Sequence, residues 1–176
     1  MNQGVHTVDL LLWLLGDVRR VYARTLAAMH PIEVEDTAVA VLEFANGAVA
    51  TLEATTAAWP GYDRRVSITG TLGTVVIELA RVVKWDVREP ALEGAAGGAA
   101  VIAPTVPAAA APAGAAASTH VVADASPHRR VFEDFVSALD TGRPPRVDGR
   151  EGRRSVALIE AIYASSRSGQ PVDVTS

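Results

Sequence analysis

From Glu35 to Val87 the chain passes through a series of β-prone stretches with turn residues between them and no helical segment to separate them. Glu35 to Phe44 and Ala48 to Thr56 flank Asn46-Gly47, and an Asn-Gly between two such runs is the strongest short hairpin signal a sequence offers. Asp63 to Thr69 follows, with Val66 and Ile68 on one face. After the turn Gly70 to Gly73, Thr74 to Leu79 and Arg81 to Val87 form a second expected hairpin. Strands that succeed one another without crossover helices build an antiparallel or mixed sheet, not a doubly wound one.

Helical patterns bracket this β region. Val5, Val8, Leu11, Leu12 and Leu15 recur at helical spacing, and Gly16-Asp17 ends the segment. Val18 to Ala28 then looks extended, until His30-Pro31 breaks it. Pro127 to Leu139 predicts an amphipathic helix with Val131, Phe132, Phe135, Val136 and Leu139 on its inner face. Asp148 is placed to cap a helix over Gly149 to Ser168, with Val156, Ile159 and Tyr163 spaced for burial. Val172 to Val174 can add a last short strand. Residues 93–118 are dominated by Ala, Gly and Pro and read as a low-complexity insertion. The expected architecture is a single α+β domain over residues 1–176, with one open, predominantly antiparallel or mixed sheet and helices packed on one face. The other face would carry Ala38, Ala40, Leu42, Val49 and Thr51, which predicts a two-fold homodimer formed sheet to sheet.

Composition narrows the function. A net charge of -4 gives no reason to expect nucleic acid or an anionic membrane as partner. Without cysteine there is no disulfide framework and no thiolate metal site. The apolar run Leu10 to Leu15 is far short of the roughly 20 residues of a membrane span, and no basic region precedes it. The expected compartment is the cytoplasm. His30, His120 and His128 are scattered without metal-ligand spacing, so no metal is expected. Lys84 is the only lysine and falls in a strand.

The opening segment concentrates Asn2, Gly4, His6 and Asp9 at the entry of the first helix, followed by Leu14 and Gly16. Its pattern resembles the segment of the glucose-fructose oxidoreductase / inositol dehydrogenase / MocA family where the chain passes from the dinucleotide-binding domain into the substrate domain. EDTAVAVLEFANGAVATLEATTA is similar to that family's first central hairpin, and RVSITGTLGTVVIE to its strand-glycine-glycine-strand unit. The tail PPRVDGREGRRSVALIEAIYASSRSGQPVDV is similar to the family's ending. The resemblance implies the C-terminal substrate domain of an oxidoreductase that uses NAD or NADP on a sugar, polyol or similar hydroxyl compound. No strand, G-x-G-x-x-G turn and helix occurs here. The isolated chain is therefore expected to bind no cofactor and to depend on a separate cofactor-binding domain.

Hydride transfer from a carbinol needs a group to accept the hydroxyl proton, and a histidine titrates in the right range. The resemblance points to His6 in that role. Asn2 stands where family members often carry an aspartate; it can orient a hydroxyl but cannot ionise. Asp9 shares the helical face of His6. Trp13 continues that face and reads as core. Trp59 and Tyr62, in the loop Trp59 to Tyr62, can pack on a sugar ring or shield the sheet edge. A non-catalytic dimerisation or carbohydrate-binding module derived from the same family is the alternative reading.

Overall fold

The computed structural model describes residues 4–79, 81–88 and 125–175. Asn2 and the insertion at 93–118 lie outside the described residues. The element order is α1 (Val5–Leu15), β1 (Val18–Leu26), β2 (Thr37–Phe44), β3 (Val49–Thr55), β4 (Arg65–Gly70), β5 (Gly73–Glu78), β6 (Arg81–Val87), α2 (Ser126–Thr141), α3 (Gly149–Ser168) and β7 (Val172–Asp173). This is the expected α+β class with antiparallel pairing. The described strands divide into two hydrogen-bonded sheets, however, where the sequence suggested one: β3-β2-β1-β7 and β4-β5-β6. The chain correspondingly forms two compact units, residues 1–59 with 120–176, and residues 60–119.

In the first unit, α3 packs on β1 and α1 packs on α3. The core is made by Val8, Leu11 and Leu12 of α1, Val21 and Ala23 of β1, Ala38, Ala40, Leu42 and Phe44 of β2, and Leu158 and Ile162 of α3. Ala38, Ala40 and Leu42 are thus buried, not on the open face as expected. The open face of β2 carries Val39 and Val41. Both faces of this strand are apolar, so alternation does not select one. Alanines let a helix backbone come close to the sheet, and the helix settles on their side.

The phase of α3 also differs from expectation. Leu158 and Ile162 are fully buried, together with Ser165, while Val156 is exposed and Ile159 and Tyr163 are only partly covered. Its ends are as read: Asp148 Oδ1 accepts from the backbone N–H of Arg150 at 2.8 Å and of Glu151 at 3.1 Å. Helix α2 is the larger correction. Val131, Phe132, Phe135, Val136 and Leu139 are all exposed, at 52% to 69%, and Ala138 is the one buried residue of this helix.

The β2–β3 connection does more than turn the chain. Gly47 adopts φ 88°, as a left-handed turn position requires. Asn46 Nδ2 donates to the Leu15 carbonyl at 2.9 Å, and the Ala45 N–H donates to the Asp17 carbonyl at 2.8 Å. The hairpin therefore satisfies a carbonyl at the end of α1 and fixes where that helix stops.

Strand β1 solves an edge problem. Its outer side is paired by β7 only at Arg20 and Val21. Beyond that point α3 takes over. The Ala23 N–H donates to Ser165 Oγ at 2.9 Å, and the Thr25 N–H to Ser166 Oγ at 2.8 Å. Ser165 Oγ in turn donates to the Gln170 carbonyl at 2.7 Å. Two helix hydroxyls thus stand in for the missing strand.

In the second unit β5 lies between β4 and β6. Gly73 sits at φ 150°, and a Cβ built there would lie 1.9 Å from the Asp86 carbonyl oxygen, so this turn admits only glycine.

Candidate functional site

The opening helix carries the candidate residues His6 and Asp9. Gly4 starts α1 without a side-chain cap, and Gly16 closes it at φ 87° with its N–H on the Leu12 carbonyl. Val8, Leu11 and Leu12 face the core, which turns His6, Asp9 and Trp13 outward on one helical face. Trp13 is 76% exposed, so it belongs to this outward face and not to the core. The core stripe was already filled by smaller aliphatic residues at the correct spacing.

Helix α3 holds α1 at its middle and at its C-terminal end. Ser155 Oγ donates to Asp9 Oδ1 at 3.2 Å. Arg154 donates through Nε to Asp17 Oδ1 at 2.8 Å, through Nη1 to Glu151 Oε2 at 2.7 Å and through Nη2 to the Leu12 carbonyl at 3.3 Å. Two of the acidic groups around α1, Asp9 and Asp17, are therefore engaged by α3. The exposed His6 ring makes no hydrogen bond among the described residues.

A second polar cluster shapes the β1–β2 loop. The Asp36 carboxylate is fully buried and accepts from the backbone N–H groups of Ala28, Met29 and His30 at 2.8, 2.8 and 2.9 Å. Thr37 Oγ1 adds a bond at 3.0 Å, and His30 Nδ1 lies 3.1 Å away. These donors, the Ala28 N–H first among them, hold the Asp36 carboxyl well below the usual carboxylate range. The neighbouring Glu35 accepts from the Tyr163 hydroxyl at 2.7 Å. Burial, reinforced by the Glu35 carboxylate, pushes the Tyr163 phenol up to about 12. It is thus a hydrogen-bond donor at neutral pH and not a base.

Of the expected site residues, the structure brings His6 and Asp9 together on α1. Trp59 and Tyr62 fall in different units, are 88% and 79% exposed, and shield no sheet edge with those rings. Sequence reasoning missed Asp36, the Glu35–Tyr163 pair and Ser155. The Glu-Asp-Thr run at the start of β2 was the available signal for Asp36, since Asp and Thr organise local turns through their side chains.

A dinucleotide site is built on a parallel strand–turn–helix unit with free N–H groups at the helix start. All described strand pairs are antiparallel. At α3 the Asp148 carboxylate already occupies the N-terminal donors. No parallel strand–turn–helix unit occurs among the described residues. Among them, no group of three or more His, Cys, Asp or Glu side chains could hold a metal ion, and no helix is long and apolar enough to cross a membrane.

The profile described as the oxidoreductase family, C-terminal alpha/beta domain, matches residues 1–174. The chain belongs to the Gfo/Idh/MocA oxidoreductase family. It is 36% identical over 92 residues to the uncharacterized oxidoreductase YrbE of Bacillus subtilis, covering 49% of this chain and 27% of that protein. It is 26% identical to the D-apiose dehydrogenase of Rhizobium rhizogenes, over 97% of this chain and 47% of that one. Its fold matches the WlbA dehydrogenase of Bordetella pertussis, solved in complex with NADH and UDP-GlcNAcA, with a TM-score of 0.75 and 30% identity. That match covers 100% of this chain and 46% of the other. The chain thus spans less than half the length of these relatives, and it corresponds to the family's C-terminal domain.

Proposed function

We propose that this domain is the substrate half of an NAD(P)-dependent oxidoreductase acting on a hydroxyl of a sugar, polyol or similar compound. The carrying observation is the commitment of groups around α1. Asp9 is held by Ser155 and Asp17 by Arg154, while the His6 imidazole stands exposed and uncommitted among the described residues. In this reading His6 accepts the hydroxyl proton of the substrate. Asn2 orients the same hydroxyl, and Asp9, already paired with Ser155, holds the helix face in place. Trp59, in the same unit as His6, contributes an exposed ring for the sugar. The cofactor, which takes up hydride, belongs to the half that this chain does not contain, and the isolated chain should bind neither NAD nor NADP.

The first test is His6→Ala in an enzyme where this domain is joined to a dinucleotide-binding half. Turnover should fall roughly a hundredfold or more, the scale for losing a general acid–base group, while the melting temperature is unchanged. Near-normal turnover would move the proton chemistry elsewhere. Calorimetric titration of the isolated chain with NAD and NADP should show no heat of binding.

The assembly reading is a two-fold homodimer through the open face of the four-stranded sheet. Tyr22, Val39 and Val41 are 44%, 48% and 42% exposed there, and Tyr22 lies directly opposite Val41 in the β1–β2 register. A central apolar row of this kind supports a face-to-face contact. Light scattering should give twice the chain mass, and Val41→Lys should return it to monomer.

A further inference from the structure

We infer that the bare stripe of α2 is the docking surface for the dinucleotide-binding domain of the same enzyme. This rests on reading the chain as one half of a two-domain oxidoreductase, and it says which surface the other half covers. Val131, Phe132, Phe135, Val136 and Leu139 recur at helical spacing and are all more than half exposed. Together they bare on the order of 500 Å² of apolar side chain, the scale of patches that serve as interaction sites. Among the described residues this area stays uncovered.

Its size selects the occupant. A stable complex between separate molecules buries about 800 Å² on each partner, more than one helix stripe offers. Interfaces between domains of one chain run from about 600 to 1,500 Å² in total, which a single stripe and its counterpart supply. A tethered domain meets the stripe at a high effective concentration, so a small interface is enough. The family relatives have room for such a domain in the same chain: more than half of the length of the D-apiose dehydrogenase and WlbA proteins lies outside the matched region, and the WlbA protein was solved with NADH. The rim of the stripe is polar, with Arg129 Nε on Glu133 Oε1 at 2.6 Å, as an interface rim requires.

The test compares the chain alone with the chain joined, ahead of Met1, to the part of the Bordetella pertussis dehydrogenase that this chain does not match. NADH binding first certifies that the added domain is folded. Hydrogen exchange is then read over Ser126–Thr141. We expect the α2 amides of the joined protein to exchange at least tenfold more slowly than those of the chain alone. Phe132→Asp with Phe135→Asp should cancel that protection without moving the melting temperature of the chain alone, because neither ring is buried in it. Val131→Lys serves as an independent variant on the same stripe. An NADH-binding fusion whose α2 exchanges as fast as in the chain alone would overturn the inference. So would loss of self-association in the isolated chain on the Phe132→Asp, Phe135→Asp change, since the occupant would then be a second copy. A protected α2 in a fusion that turns over normally as His6→Ala would sink the proposed role of His6 and leave the docking surface standing.

Discussion

Helix α3 buries Leu158 and Ile162 completely, while α2, drawn from the same amphipathic vocabulary, leaves Phe132 and Phe135 more than half exposed. The difference is not one of helix-forming strength. Helix α2 carries the larger aromatic residues, and α3 carries serines in its contact face. What separates them is the surface each one meets. Helix α3 packs on β1, where the buried Ala23 allows close approach, and its serines find backbone donors. Helix α2 ends in an exposed segment and is anchored through Asp134, which accepts from Arg143 Nη2 and from the Arg146 N–H, both at 2.7 Å. An apolar stripe thus records that something is covered, and the partner has to be sought outside the helix.

The contrast can be broken by substitution, beginning with the largest expected effect. Leu158→Ala should cost about 2–5 kcal/mol, as for other buried leucines, whereas Phe132→Ala should stay within about 0.5 kcal/mol, as for surface changes. Urea denaturation of both variants measures the gap; equal costs would mean that α2 is packed in solution. Ser165→Ala leaves the Ala23 N–H without its acceptor and should cost about 1–3 kcal/mol. The same change at the exposed Ser137 should be nearly silent in the same titration.

The helix starts offer a smaller difference. Asp148→Ala removes the α3 cap and should cost about 1 kcal/mol. The N-cap position of helix α2 is Ala125, which has no side-chain cap to lose. Circular dichroism melts of Asp148→Ala should show the lower midpoint. The last and smallest effect is at Tyr163→Phe, which removes the bond to Glu35 at a cost of about 0.5–1.5 kcal/mol near neutral pH. The phenol is raised from its ordinary 10 to about 12 in the folded chain. Its stabilisation is therefore complete below about pH 10 and is lost as the pH rises through about 12. The stability difference between wild type and Tyr163→Phe should shrink over that window, and a difference independent of pH would assign it to packing alone.

The element order, the Asp148 cap and the Gly47 hairpin were legible because each depends on residues close together in sequence. The burial phase of β2 was not, because Val39 and Val41 compete with Ala38, Ala40 and Leu42 for the core on equal terms of alternation. Only the helix arriving more than 100 residues later decides between them. The site divides in the same way. His6 and Asp9 share a face by helical geometry alone. Asp9 is engaged by Ser155, 146 residues away, and no local pattern announces that bond. The exposure of Trp13, Trp59 and Tyr62 was equally hidden, since a ring looks the same in sequence whether it packs or stands free.

The two hydroxyls that α3 lends to β1 also restrict how this protein can go wrong. A strand edge with unsatisfied N–H groups is a template for adding further chains, and natural sheets guard against it. Here Ser165 and Ser166 occupy the Ala23 and Thr25 donors, and β7 occupies the positions before them. Growth of the four-stranded sheet by edge addition is restricted on the β1 side, and β3 is its other outer strand among the described residues. A destabilised variant that loses Ser165 therefore carries a second hazard beyond its lower stability: it reopens a template for aggregation that the wild-type helix keeps sealed.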